Sequence, residues 1–477
     1  MAAALSSPRA PALRARPGRW QASARDGGIG RRSVVQGGAT AAALGGFEIN
    51  NPFGGADKAA RATTKGYTPA GPTGETLEIV DGMRQRRLGG TDIVVSELGL
   101  GTQRWGSADY NGPDEALCHA FLDRAVLEGG VNLVDTAEQY PIPSDSRRPE
   151  GRTEEIIGSW MAKDAGRREK LVISTKITGG SNVTARNIKK DCEGSLKRLG
   201  TDYLDVYLLH WPARYSPQSN WGQSLQYHLE TEQAPYYKNA APFEEIAAAM
   251  GDLIAAGKIR GWGMCNDNAY GMTASCWAAK GLGVPPVTSM QGDFSLINRR
   301  SEENGLSEGS SPVNENVGFM AYNVLAGGVL TGKYLKDGKK DMGAVGKVEA
   351  ARRGAMPRGR FDDYSWGRTL YRYRSGAATE ATQAYADLAS EYGLPLAEMA
   401  LRWGRQRDFV TTQLLGHTSM DQLEDSLSWF RTDDALPPEL MASIDRVHMR
   451  NRLPIFSSER LGEDWDGFSG EIGERVP

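Results

Sequence analysis

From residue 83 onward the chain switches between two hydrophobic rhythms. "MRQRRLGGTDIVVSELGLGT" opens this stretch and reads as a short hairpin around a Gly-Gly turn, followed by a strand ending at Thr102. Further apolar runs follow: "VNLVDTA", "LVISTKI", "YLDVYLLHW", "IRGWGMCN", "VTSMQGDFS", "VGFMAYNVL" and "TTQLLGHT". Between them lie stretches with helical spacing. In 113–130, Leu117, Phe121, Leu122 and Ala125 share one face before a Gly-Gly stop. Similar patterns cover 153–163, 184–199, 243–256, 268–280, 380–392, 395–406 and 419–430. Strands that are apolar along their whole length are buried on both faces, as in a parallel sheet. Strands alternating with helices over roughly 350 residues predict a (β/α)8 TIM barrel, an α/β fold, with an N-terminal bottom hairpin and long loops at the C-terminal mouth. A doubly wound open sheet is the alternative. It would need a third glycine opening a helix after "LGLGT", and none is there.

Several strands end in reactive side chains rather than in turn residues. Asp135 closes "LVD", Lys176 closes "ISTK", His210 stands in "LLHW", and Tyr140 lies in the loop after Asp135. In such a barrel these positions face one mouth, where active sites are built. Taken singly, each has a plain structural reading: Asp135 as a cap, Tyr140 as a packed loop aromatic, Lys176 as a surface lysine, His210 as a structural histidine. Together they suit carbonyl reduction. A carbonyl that accepts a hydride develops negative charge on oxygen and needs a proton. A tyrosine with a pKa of about 10 is a poor acid at neutral pH, and a neighbouring ammonium lowers that value. Lys176 would supply the ammonium, Asp135 would hold it, and His210 would orient the substrate oxygen.

"GLGT", "DTAEQY", "STK", "LLHWP", "GMCN", "MQGDFSL" and "GHTSMDQLEDSL" occur in this order. In these motifs residues 84–450 resemble the aldo-keto reductases, in particular their Tas-like bacterial branch, itself similar to potassium-channel β subunits. The resemblance implies that Asp135, Tyr140, Lys176 and His210 form the catalytic set. It implies NADPH as cofactor, bound across the barrel mouth without a Rossmann fold. Asn266 and Gln291 would meet the carboxamide, Tyr322 would stack on the nicotinamide, and Lys333 of "TGKY" would approach the pyrophosphate. Gly416, Thr418 and Gln422 match the adenosine-phosphate loop, and Arg372 and Arg374 are candidate partners of a 2′-phosphate, a dianion that two cations suit. The plain alternatives are a core aromatic for Tyr322, a helix cap for Asn266 and turn glycines in "LAGGVLTGK". The sequence departs from the family pattern at Gln103-Arg104, at Cys265, at Gly292 and Phe294, at Asn323 and Val324, and at Asp425 and Ser426. None of these touches the four catalytic candidates.

Composition narrows the partners. The 477 residues carry a net charge of −3, with no basic excess to neutralise nucleic-acid phosphates. No stretch is apolar enough for a membrane span. The four cysteines, Cys118, Cys192, Cys265 and Cys276, are far apart, which argues against a disulfide framework or a metal site. Residues 1–46 hold seven arginines, no lysine and one acidic residue, Asp26. Such a composition marks an organelle transit peptide, and "RRSVVQGGATAAALGGF" ahead of "ARA" adds a twin-arginine signal. The expected location is the chloroplast, in the stroma or thylakoid lumen; a disordered leader is the alternative reading. The domain plan is therefore a leader over 1–75, a barrel over 83–450 and a tail over 451–477.

Substrate choice belongs to the loops. The insertion 211–241 carries Trp211, Tyr215, Trp221, Tyr227, Tyr236 and Tyr237, which suit an apolar or aromatic carbonyl compound or pin the loop to the barrel. The stretch 336–376 reads as a flap over the cofactor. Two functions compete with carbonyl reduction: a non-enzymatic NADP(H)-binding redox-sensing subunit, and a hydrolase using Asp135 and Glu138, which lacks an opposing carboxylate. Oligomeric state and the natural substrate stay open.

Overall fold

The computed structural model describes residues 67–108, 112–216, 229–336, 339–340, 373, 375–431 and 435–456. An antiparallel sheet comes first: β1 (Thr76–Val80), β2 (Met83–Arg87) and β3 (Val94–Ser96). The barrel follows with β4 (Leu98–Gly101), β5 (Leu133–Asp135), β6 (Val172–Ile177), β7 (Leu204–Leu209), β8 (Ile259–Cys265), β9 (Ser289–Asp293) and β10 (Gly318–Tyr322). A two-residue ribbon, β11 (Leu335–Lys336) with β12 (Lys339–Lys340), precedes the last barrel strand, β13 (Val410–Leu415). The eight barrel strands are parallel and close in the order β10-β13-β4-β5-β6-β7-β8-β9. They are the eight strands expected from the apolar runs.

Side chains alternate across each strand, so every second residue points into the barrel. Leu133, Val172, Val206, Leu208, Met320 and Leu414 form the interior, and Leu88, Ile93 and Val95 of the bottom hairpin pack against them. Val134, Ile173, Ile177, Tyr207 and Leu209 point outward to the helices. The hairpin plugs the N-terminal end tightly. A Cβ on Gly89 would stand 2.3 Å from the Thr288 carbonyl oxygen, and its φ of 62° is itself a glycine conformation. β1 was not expected, because its five residues are all exposed and show no alternation.

The outer layer contains α1 (Glu115–Leu122), α2 (Arg152–Met161), α3 (Ala185–Leu199), α4 (Phe243–Ala255), α5 (Ala269–Leu282), α6 (Gly376–Glu391), α7 (Leu396–Arg405), α8 (Met420–Arg431) and α9 (Pro438–Arg450). Side-chain caps set several starts: Asp114, Thr184, Asn268 and Ser375 each accept a backbone N–H of the following turn. The helical pattern expected across 113–130 divides, with α1 running into a π turn at Asp123–Leu127. α9 was not read from the sequence, although Leu440, Ile444 and Val447 are buried on one helical stripe.

The expected leader, 1–75, lies outside the described residues up to 66. Its last residues are tied to the bottom sheet: Ala70 N–H donates to Gly90 O, and Gly74 N–H to Arg87 O. At the other end, Ser375 Oγ donates to Pro454 O at 2.6 Å and Ile455 is buried, so the start of the expected tail packs on α6. No helix among the described residues is long and apolar enough to cross a membrane.

Candidate active site

The period-two alternation decides what reaches the mouth. In β5 the interior face carries Leu133 and then Asp135. In β6 it carries Val172, Ser174 and Lys176, and in β7 Val206 and Leu208, followed by His210. Three side chains from adjacent strands thus rise on one interior surface, and Tyr140 folds over it from the loop after β5. All four are buried: Lys176 is 0% exposed, Asp135 4%, His210 5% and Tyr140 6%.

Lys176 Nζ donates to Asp135 Oδ2 at 2.6 Å and to the Thr136 carbonyl at 2.7 Å. Burial alone would strip the lysine of its proton. Asp135, with smaller contributions from Tyr140 and Cys265, outweighs it and holds the ammonium above the ordinary lysine range. Lys176 Nζ stands 5.2 Å from the centre of the Tyr140 ring, whose edge meets His210 with centroids 5.7 Å apart. Burial, reinforced by the charge of Lys176, pushes the His210 pKa well below the histidine range, so its imidazole is neutral at physiological pH. Its buried Nδ1 has no hydrogen-bond partner among the described residues. Trp211 also stacks on His210, with centroids 5.8 Å apart and planes at 23°. Asp135 is therefore not a cap, and Lys176 not a surface lysine.

A second ring of polar groups surrounds this set. Asp135 Oδ1 accepts from Ser174 Oγ at 3.0 Å and from Gln291 Nε2 at 2.8 Å. Cys265 Sγ donates to Gln291 Oε1 at 3.3 Å. Asn266 takes a left-handed φ of 60°; its Nδ2 donates to His210 O at 2.9 Å, and its Oδ1 accepts from Tyr322 Oη at 2.6 Å. It does not cap α5: that work falls to Asn268, which accepts from Gly271 N–H. The half-buried Tyr322 leans on the barrel interior from the end of β10.

The rim next to Tyr322 is made of left-handed backbone. Asn323, Ala326, Gly327, Gly328 and Gly332 all have positive φ, between 50° and 96°. Three of these amides are spent within the turn: Ala326 N–H donates to Asn323 O, Gly328 N–H to Leu325 O at 2.8 Å and Gly332 N–H to Val329 O at 3.0 Å. A Cβ on Gly328 would lie 3.1 Å from Lys333 Cε, so the exposed lysine folds against this turn in the space that glycine leaves. Across the neighbouring β13, Gly416, Thr418 and Gln422 are exposed at the same end of the barrel. Thr418 N–H and Oγ1 both meet Gln422 Oε1, at 2.9 and 3.2 Å. Ser426 turns inward, 3.0 Å from the buried His417.

The mouth thus gathers Asp135, Tyr140, Lys176, His210, Asn266, Gln291 and Tyr322. Lys333, Gly416, Thr418 and Gln422 sit on the rim of β10 and β13. Arg372 and Arg374 lie outside the described residues, as do Trp221, Tyr227 and most of the expected flap. Between the two arginines, buried Tyr373 donates to Asp293 Oδ2 at 2.8 Å. Sequence reasoning did not find Ser174, Asp293 or Tyr373. Ser174 was within reach, two residues before Lys176 on the same face. Glu138, grouped with Asp135 in the hydrolase reading, turns away and accepts from Thr178 N–H at 2.5 Å. Burial raises its carboxyl above the usual range.

The family model described as "Aldo/keto reductase family" matches residues 97–448, which span the whole barrel. The chain belongs to the aldo/keto reductase family. The chain is 38% identical over 385 residues to "Protein tas" of Escherichia coli (strain K12), an alignment covering 78% of this chain and 99% of the relative. It is 32% identical over 298 residues to "Aldo-keto reductase" of Babesia bovis, covering 60% of this chain and 98% of that one. It is 26% identical over 356 residues to "Uncharacterized oxidoreductase YrpG" of Bacillus subtilis (strain 168), covering 72% and 90%. The aldo/keto reductase found here is thus an oxidoreductase of the Tas-like branch, on the barrel its strands predicted.

Proposed function

We propose that this oxidoreductase is an NADPH-dependent reductase of aldehydes or ketones, with Tyr140 as general acid. The observation that carries the reading is the buried Lys176–Asp135 pair, 2.6 Å apart, lying against Tyr140 beside a neutral His210. A structural ion pair would not need a tyrosine and a histidine packed over it at the mouth of a barrel. The residues also fit a nicotinamide dinucleotide. Tyr322 offers an aromatic face beside the catalytic group, Asn266 and Gln291 stand at the mouth, and the exposed Lys333 beside Gly328 supplies a cation that suits a pyrophosphate.

Bound NADPH would supply the hydride for the carbonyl carbon. Tyr140 gives its phenolic proton to the oxygen as charge develops there. The Lys176 ammonium favours the phenolate left behind, and so makes Tyr140 a better acid. Asp135 keeps Lys176 charged in a site where burial opposes charge. His210, neutral and held by Trp211 and Tyr140, directs the substrate oxygen to the phenol. Trp211 gives the mouth an aromatic wall, in keeping with apolar or aromatic carbonyl substrates. Preference for NADPH over NADH is proposed from Arg372 and Arg374.

Tyr140→Phe tests the reading directly. Carbonyl reduction should fall by about 10²- to 10⁴-fold with NADPH affinity unchanged. Turnover that survives the substitution would remove Tyr140 as the acid. We also propose that residues 1–75 direct import into the chloroplast. A fluorescent protein fused behind them should collect in plastids, and cytosolic fluorescence would contradict that.

A further inference from the structure

Asp135 takes more than the lysine. Its Oδ2 holds Lys176, while its Oδ1 accepts hydrogen bonds from Ser174 Oγ and Gln291 Nε2. A carboxylate can only accept, so the Gln291 amide must present its nitrogen to Asp135 and its oxygen to the other side. There the oxygen meets the Cys265 thiol at 3.3 Å. The thiol keeps its proton to donate, because burial pushes its pKa up to about 12. Gln291 and Cys265 come from neighbouring strands β9 and β8, and Asp135 from β5 across the barrel interior.

We infer that Gln291 is a positioning residue for the Asp135–Lys176 pair, held in its working orientation by the Cys265 thiol, and that through this pair it sets the acidity of Tyr140. The inference rests on the proposed role of Tyr140 as acid and adds a control on it. The amide dipole points its positive end at Asp135 and offsets part of the carboxylate's negative field. Without it, Asp135 screens more of the Lys176 charge that Tyr140 feels, and the phenolate is disfavoured. The ionisable groups facing Lys176 are Asp135, Tyr140 and Cys265, with His210 neutral beside Tyr140. None of them other than Asp135 bonds to the Gln291 amide nitrogen. The same amide stands at the mouth, where a bound nicotinamide would meet it, so cofactor binding and Tyr140 acidity would share one side chain.

The test follows the Tyr140 proton itself. The full chain is labelled with [13Cζ]tyrosine, and the Tyr140 signal is identified by its loss in Tyr140→Phe. Its titration midpoint is then compared between the unchanged protein, Gln291→Met, Cys265→Ala and Cys265→Ser. Gln291→Met should raise the midpoint by roughly half a pH unit or more, and Cys265→Ala by less. Cys265→Ser, which restores a donor, should return it to the starting value. The alkaline limb of kcat/KM should move in parallel. An unmoved midpoint in Gln291→Met overturns the inference, as does Cys265→Ser behaving like Cys265→Ala. If Gln291→Met does not fold, the two Cys265 variants carry the same comparison. The titration needs no turnover, so a shifted midpoint in a protein that reduces no carbonyl would sink the reductase reading and leave this one standing.

Discussion

Lys176 shows how one residue ties stability to chemistry. It is fully buried and charged, a state that Asp135 and the Thr136 carbonyl do most to make tolerable. Lys176→Met fills the volume but leaves Asp135 charged in the interior without its counter-ion, held only by Ser174 and Gln291 among the described residues. The expected cost is about 3–5 kcal/mol in urea unfolding, together with loss of turnover. The double variant Lys176→Met with Asp135→Asn removes both charges and should recover much of that stability with none of the activity. A single variant as stable as the parent would mean that the pair is not buried as described. Histidines make the complementary statement about pH. Burial lowers His417 from 6.5 to about 4, and burial with Lys176 lowers His210 well below 6.5. Their folded pKa values lie below the unfolded ones, so the folded state binds fewer protons in between. That stability is fully present above pH 6.5 and should drain away as pH falls toward 4. Unfolding midpoints measured at pH 7, 6 and 5 should fall in that order, and a flat series would contradict the burial of these rings.

At the scale of elements, the site depends on how the loops after β6 and β7 lean on each other. A Cβ on Gly179 would lie 2.2 Å from the Trp211 Cβ and 2.4 Å from its backbone nitrogen. Gly179→Ala must therefore displace Trp211, and with it the stack that holds His210. Misplacement of about 1 Å can cost on the order of 10²-fold, so kcat/KM should drop by about that factor with NADPH affinity kept. An unchanged kcat/KM would free His210 from dependence on Trp211. The barrel strands were legible from the sequence because burial on both faces leaves no alternation to confuse them. Asp135, Lys176 and His210 stood out because each breaks such a run at its end. β1 was not legible, since exposed residues carry no pattern. α9 was missed because its three-residue stripe of Leu440, Ile444 and Val447 sits among polar neighbours. The bond from Gln291 to Asp135 spans 156 positions and two non-adjacent strands, and only the closed barrel brings them together. Arg214 is of the same kind: its bidentate bonds to Asp267, at 2.8 and 2.6 Å, join the loops after β7 and β8 with no local signal in either.

For the whole molecule, the barrel keeps its two ends apart in function. The hairpin closes the N-terminal end with Leu88, Ile93 and Val95, while the C-terminal end collects polar groups that would be costly anywhere else in the interior. Family membership along the full barrel makes the molecule an oxidoreductase. The central claim is that the mouth binds NADPH and passes a proton from Tyr140 to a carbonyl. The most direct measurement is fluorescence titration with NADPH and then NADH, followed by a panel of aldehydes and ketones watched by loss of NADPH absorbance. The account predicts saturable binding, tighter for NADPH, and turnover on apolar or aromatic carbonyls that Tyr140→Phe lowers by about 10²- to 10⁴-fold. Tight binding with no turnover on any carbonyl would contradict it and favour a redox-sensing subunit, and no binding of either nucleotide would contradict the cofactor site itself.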